Sequence, residues 1–164
     1  MKHEKLKEME YISIGSPLTG NIVPLSEVED AAFSQMMLGK GAAIEPTIGK
    51  VVAPVDGILT TLFKTKHAIG IEAANGVDIL VHIGLDTINL EGKYFKAKVK
   101  QGDKIKVGQT LIEFDLKGIK KAGYSLVTPV IITNTDDYAD VIETDQRTVN
   151  FGDVLIKILR GDVL

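Results

Sequence analysis

Two histidines carry the sequence's chemical interest. His82 sits in VDILVHIGLDTI (Val77 to Ile88), in the middle of an apolar run, and His67 sits in TKHA, two residues after Thr65. Between them lies Asn75-Gly76, the strongest short hairpin signal in the chain. Read as a two-residue turn, it pairs Ala74 with Val77. Counting back along the antiparallel ladder, Ile71 then faces Leu80, Ile69 faces His82, His67 faces Gly84 and Thr65 faces Asp86. Residues two apart share a face. One face is therefore expected to carry Thr65, His67, Ile69, Ile71, Leu80, His82, Gly84 and Asp86. On it the two imidazoles are diagonal neighbours, their backbones about 7–8 Å apart. The opposite face, Val77, Ile79, Val81, Ile83 and Leu85, is an unbroken core stripe. A three-residue loop would move one strand's side chains to the other face and break the pair.

Four chemistries fit two imidazoles in an apolar depression. With Asp86 they could supply three metal ligands, although no H-E-x-x-H or H-x-H completes a closed set. One could act as a general base, but no G-x-S-x-G elbow supplies a nucleophile. One could itself be the nucleophile toward phosphorus, with the second ring donating to the phosphoryl oxygens and Thr65 orienting that ring. Both could be structural, satisfied by neighbouring backbone. A nucleotide donor is disfavoured: GKGAAIEPTIGK (Gly39 to Lys50) lacks the phosphate-loop glycine spacing, and no kinase glycine loop or H-R-D occurs. A phosphohistidine here would be charged and discharged by other proteins, which suits an apolar docking rim better than a deep cleft.

The elements that must position these residues read as β-structure. The 164 residues are enough for one domain burying roughly 70% of its unfolded surface. Residues 1–11, charged and without an apolar core, read as a flexible tail rather than a signal peptide, and 12–164 as a single domain. Sixteen glycines and five prolines punctuate short runs rich in Val, Ile and Thr. VVAPV, GILTTLF, HAIGIEA, VDILVHIGL, KAKVK, TLIEF, SLVTPVIIT and VLIKIL are candidate strands. Short helices are expected after a Ser26/Glu29 capping box, ending at Gly39, and after Asp115 and Asn134. The expected fold is all-β, an antiparallel sandwich or barrel with a few short helices. SPLTGNIVPL (Ser16 to Leu25) resembles APVDGILTTL (Ala53 to Leu62), and VGQTLIEF (Val107 to Phe114) resembles FGDVLIKI (Phe151 to Ile158). These pairs read as two interleaved copies of one β-unit. A net charge of -3 gives no electrostatic case for nucleic acid, and no apolar run approaches the ~20 residues of a membrane span. The absence of cysteine excludes disulfides, thiolate metal sites and a cysteine nucleophile, and fits a cytoplasmic location.

From about Ser13 to Ile158 the sequence resembles the glucose-family IIA (EIIA) component of the bacterial phosphoenolpyruvate-dependent sugar phosphotransferase system. GVDILVHIGLDTI matches that family's phosphohistidine signature, and VVAPVDGILTTLFKTKHA matches the segment with its second histidine. GDKIKVGQTLIEFDL and LVTPVIITN match further landmarks. The resemblance implies an antiparallel β-sandwich with a duplicated hybrid motif. It implies a phosphotransferase component in which His82 accepts phosphate through Nε2 from the phosphohistidine of HPr. His67 would hydrogen-bond the phosphoryl group with Thr65 behind it. The phosphate would pass to a cysteine of an EIIB domain of a membrane permease during sugar uptake, with no cofactor and no resident metal. The docking rim would include Ala42, Ile44, Phe63, Ile69, Leu80, Asp86 and Ile88, with Asp86 a recognition charge for basic groups of the partner. Some relatives use the histidine pair to hold zinc at a regulatory interface, so a regulatory protein-binding module is the alternative function. IKVGQTLIEFDLKGIKK also resembles a biotinyl or lipoyl domain, but Lys117 lacks the Met-Lys-Met hairpin tip such carriers need.

Overall fold

The computed structural model describes residues 11–161. The expected tail therefore lies outside the described residues except for Tyr11, which already belongs to the first strand. Fourteen strands run in chain order: β1 (Tyr11–Gly15), β2 (Gly20–Val23), β3 (Lys40–Pro46), β4 (Lys50–Val52), β5 (Gly57–Leu62), β6 (Ala68–Ala73), β7 (Asp78–His82), β8 (Phe95–Ala97), β9 (Lys104–Ile105), β10 (Thr110–Phe114), β11 (Thr128–Ile132), β12 (Asp140–Glu143), β13 (Thr148–Val149) and β14 (Val154–Leu159). Two short helices, α1 (Ala31–Ser34) and α2 (Leu116–Lys121), and three single 3₁₀ turns complete the fold. Every strand pair is antiparallel. The all-β expectation is met.

The strand order makes the internal duplication legible. An eight-stranded sheet runs β13-β2-β3-β11-β7-β6-β5-β9, and two three-stranded sheets run β1-β14-β12 and β4-β10-β8. The large sheet reads the same from either edge once β13, β2, β3 and β11 are matched to β9, β5, β6 and β7. One copy is continuous, β4 to β10; it is inserted into the other, which is built from β1–β3 and β11–β14. The repeated sequence motifs fall on equivalent places. Gly20 in β2 pairs with Pro46 and Val149, and Gly57 in β5 pairs with Ala73 and Ile105. At each glycine the neighbouring strand comes so close that a Cβ would sit 2.1 Å from the Glu45 carbonyl oxygen, or 2.2 Å from that of Glu72. The glycine shared by SPLTG and APVDG is thus a close backbone approach needed twice.

The main core lies between the large sheet and the two small ones. Ile79 and Val81 of β7, Ile69 and Ile71 of β6, and Val130 and Ile132 of β11 point into it. A smaller cluster covers the other face: Leu25, Val28 and Phe33 pack on Ala43, Leu85 and Ile131, with Leu80 partly buried against them. The central strands β3 and β11 are therefore buried on both faces. Of the short helices, α2 begins where Asp115 predicts it, with the Asp115 carboxylate accepting from the Gly118 N–H at 3.0 Å, and a 3₁₀ turn follows Asn134. The expected capping box does not form. Ser26 lies inside a 3₁₀ turn, and α1 is capped by Asp30, whose carboxylate accepts from the Ala32 N–H at 3.0 Å. Two short elements replace one longer helix because the chain extends again at Val28, where ψ is 133°.

Candidate functional site

The hairpin joining β6 to β7 has a different register from the one the sequence reading assigns. Asn75-Gly76 belongs to a three-residue loop. The Ala73 N–H donates to the Val77 carbonyl at 2.8 Å, the Gly76 N–H donates to the Ala73 carbonyl at 2.9 Å, and Gly76 takes φ +92°. The ladder consequently pairs Ala68 with His82, Ile69 with Val81 and Gly70 with Leu80, one residue away from expectation. Ile69 and Ile71 turn into the main core and do not share a face with His82.

The imidazoles nevertheless meet. Their ring centroids are 4.9 Å apart and the planes are nearly perpendicular, at 83°. Strand alternation does not forbid this, because both histidines stand where the pleat stops. His67 precedes the first residue of β6 and follows Lys66, which has φ +58°. His82 is the last residue of β7, and the chain bends away through Gly84 at φ +72° and Asp86 at φ +59°. Only the backbone continues in register there, the Ile83 N–H donating to the His67 carbonyl at 2.7 Å.

Each ring is fixed through its Nδ1. His82 Nδ1 lies 2.8 Å from the Gly84 carbonyl oxygen. That oxygen can only accept, so Nδ1 carries the proton and Nε2 keeps its lone pair. The Gly84 carbonyl is itself held in place. The Thr87 hydroxyl donates to the Ile83 carbonyl at 2.5 Å, the Gly84 N–H donates to the Thr128 hydroxyl at 3.3 Å, and the Leu85 N–H donates to the Ser125 carbonyl at 3.1 Å. A Cβ at residue 84 would lie 2.6 Å from Thr87 Cγ2 and 2.7 Å from the Ser125 carbonyl oxygen, so the bend requires glycine for space as well as for φ. His67 Nδ1 lies 2.5 Å from the Thr65 hydroxyl. Thr65 is set by a turn in which the Lys66 N–H donates to the Phe63 carbonyl at 2.8 Å.

Burial favours the neutral form of both rings. Desolvation, and then the neighbouring His82, lower the His67 pKa from 6.5 to about 4; the residue is 2% exposed. Desolvation lowers the His82 pKa too, against the upward pull of the Gly84 carbonyl, of Asp30 and of Asp86. The site is thus an uncharged nitrogen base with a fixed tautomer, bordered by two carboxylates. Among the described residues no group of three His, Cys, Asp or Glu side chains could hold a metal ion.

The surroundings divide the expected rim. Phe63 is exposed and packs edge-on to His67, with centroids 5.5 Å apart. Ile88 and Asp86 are exposed, and Leu80 is partly buried. Ala42, Ile44 and Ile69 are wholly buried in the main core and reach no surface, which corrects their place in the rim. The one-residue register shift explains Ile69. Ala42 and Ile44 lie on the inner face of β3, in a strand covered on both sides. Two participants escaped the sequence reading. Phe33 of α1 lies 5.2 Å from the His82 ring, and Asp30, which caps α1, raises the His82 pKa more than Asp86 does. Met36, Met37 and Leu38, continuing from α1, are also exposed. The misplaced capping box hid these residues; an Asp three residues before an aromatic was the available signal. A hollow of about 610 Å³ beside β12, β13 and β14 contains neither histidine. Lys117 lies within α2, away from any hairpin tip.

The comparisons bear on the family and the fold. Residues 12–138 match the family described as phosphoenolpyruvate-dependent sugar phosphotransferase system, EIIA 1. A beta-glucoside-specific EIIBCA component from Bacillus subtilis (strain 168) is 55% identical over 137 residues, covering 84% of this chain and 22% of the relative. The chain spans only about a quarter of that protein and of a similar one from Halalkalibacterium halodurans, at 22% and 23%. A glucose-specific EIIA component from Oceanobacillus iheyensis is 48% identical over 151 residues, covering 91% of this chain and 92% of the relative. The solved structure of glucose permease IIA from Mycoplasma capricolum superposes with a TM-score of 0.83 at 40% identity, covering 90% of this chain and 95% of that one. A family match over residues 12–138, a relative 48% identical along nearly its whole length and a shared fold lead to one conclusion: the chain belongs to the EIIA 1 family of the phosphoenolpyruvate-dependent sugar phosphotransferase system.

Proposed function

We propose that the chain is a phosphoryl carrier that takes phosphate from phospho-HPr on His82 Nε2 and passes it to a cysteine of a cognate EIIB domain. The observation that carries this reading is the pair of Nδ1 contacts, Gly84 carbonyl to His82 and Thr65 hydroxyl to His67, on rings 4.9 Å apart. The His82 Nε2 lone pair attacks phosphorus as the donor's N–P bond breaks. The ring then bears a formal positive charge, which the Gly84 carbonyl and the nearby Asp30 and Asp86 stabilise. The Thr65 hydroxyl donates to His67 Nδ1, which places the His67 proton on Nε2, where it donates to a phosphoryl oxygen. Onward transfer breaks the new N–P bond as the partner's sulfur attacks, and His82 returns to its starting tautomer.

The relatives named EIIBCA join this domain type to EIIB and EIIC in one chain, which supports EIIB as the acceptor. Among the described residues no helix is long and apolar enough to cross a membrane, which fits a chain that works on a permease rather than as its channel. Exposed Phe63, Ile88, Met36, Met37 and Leu38 provide the apolar contact for both partners in turn, and Asp30 and Asp86 provide the charge. The test is to incubate the chain with phosphoenolpyruvate, the general phosphotransferase enzyme and HPr, and to weigh it intact. A single gain of about 80 Da, acid-labile and absent in His82→Ala, is the expected result. No gain under conditions that phosphorylate HPr overturns the reading.

A further inference from the structure

The chain contains no cysteine and four methionines, of which Met1 and Met9 lie outside the described residues. The two methionines among the described residues are therefore consecutive in sequence, Met36 and Met37. Both side chains are exposed, Met36 at 40% and Met37 at 70%. Thioethers normally fill cores, so an exposed adjacent pair is unusual placement for this residue type.

Their backbone ties them to the histidine site. The Met36 N–H donates to the Phe33 carbonyl and the Met37 N–H donates to the Ala32 carbonyl, each at 3.0 Å, so the pair continues the turn whose Phe33 ring lies 5.2 Å from His82. Met36 is held at φ +57° and Gly39 at φ +131°, with the Gly39 N–H donating to the Met36 carbonyl at 3.2 Å. A Cβ at Gly39 would lie 2.3 Å from the Ile132 carbonyl oxygen, which pins the segment to β11. The loop is thus fixed at both ends with its thioethers outward.

We propose that Met36 and Met37 form an oxidation-sensitive patch on the partner-facing surface: a peroxide converts them to sulfoxides and thereby slows phosphoryl transfer to and from His82. The inference rests on the proposed carrier function. Sulfur attacks one peroxide oxygen, the S–O bond forms as the O–O bond breaks, sulfur loses two electrons, and the peroxide is reduced to water or an alcohol. Each product carries a strongly hydrated oxygen that a docking partner must strip of water, and sulfoxide reductases can reverse the change. His82 is untouched, so the effect falls on docking and not on the chemical step.

The test is the rate of phosphorylation of the full chain at limiting HPr, before and after mild hydrogen peroxide, and again after treatment with methionine sulfoxide reductases. Oxidation is expected to slow transfer about tenfold, with recovery after reduction and with the same final yield at saturating HPr. The double variant Met36→Leu/Met37→Leu keeps the apolar surface. Whatever its own starting rate, that rate should be the same before and after peroxide. An oxidised wild-type chain that transfers at the untreated rate overturns the inference. So does equal slowing of the double variant. An untreated chain that accepts no phosphate overturns the carrier function itself, and this inference with it.

Discussion

Thr65→Val removes one hydroxyl and leaves the side-chain shape nearly unchanged. In the native chain that hydroxyl is 2.5 Å from Nδ1 of a ring that is 2% exposed, so no solvent replaces it. A buried ring nitrogen left without its partner is worth about 1–3 kcal/mol. If Thr65 acts by keeping the His67 proton on Nε2, the same energy is withdrawn from the transition state, because the ring no longer presents a fixed donor to the phosphoryl group. That energy corresponds to transfer about 5- to 150-fold slower. Single-turnover transfer from phospho-HPr, measured with the partner saturating, isolates the step. Nitrogen NMR of the His67 ring reports the tautomer directly: the proton is on Nε2 in the native chain and is distributed over both nitrogens in the valine variant. Thr65→Ser keeps the hydroxyl and should restore both readouts. A valine variant that transfers within about twofold of wild type, with His67 still protonated on Nε2, would refute the reasoning.

Gly84→Ala and Gly76→Ala both place alanine at positive φ, which costs about 1–2 kcal/mol. Only residue 84 adds contacts of 2.6 and 2.7 Å and displaces the carbonyl that holds His82. Gly76→Ala should therefore lower Tm by a few degrees and leave transfer intact, while Gly84→Ala loses more stability and most of its transfer rate, as thermal melts and phosphorylation rates will show. The pH dependence has a definite sign. With its pKa depressed from 6.5 to about 4, His67 binds fewer protons in the folded chain than in the unfolded one. Its contribution of about 3 kcal/mol is complete above pH 6.5 and is lost as pH falls from there to about 4. Denaturant melts should show this slope, and His67→Gln should flatten it. Truncating Phe33, buried beneath His82, should cost about 3–5 kcal/mol in the same melts.

The sequence made the strands readable where glycine and proline punctuate β-branched runs, and it showed the duplication because the same close-approach glycine recurs at Gly20 and Gly57. It placed His67, His82 and Thr65 in one site for a reason that was partly wrong. Asn-Gly most often makes a two-residue turn, but Ala74 joins this loop as a third residue, and the pair survives only because both histidines stand beyond the regular pleat. Periodicity describes residues inside strands and says nothing of those at their ends. The rim was harder to read. Ala42 and Ile44 are as apolar as a docking residue, and only the covering of β3 on both faces separates the two cases. Asp30 and Phe33 come from a distant segment whose helix start was misassigned, so no local signal joined them to His82.

The central claim is that the Gly84 carbonyl, by holding the proton on His82 Nδ1, directs the phosphoryl group to His82 Nε2. Phosphorus and nitrogen NMR of the ¹⁵N-histidine-labelled chain, phosphorylated by phospho-HPr, measures this directly. The account predicts a single phosphohistidine, bonded through Nε2 of His82, with Nδ1 still protonated and His67 unmodified. A phosphoryl group on Nδ1 of His82, or on either nitrogen of His67, would contradict it.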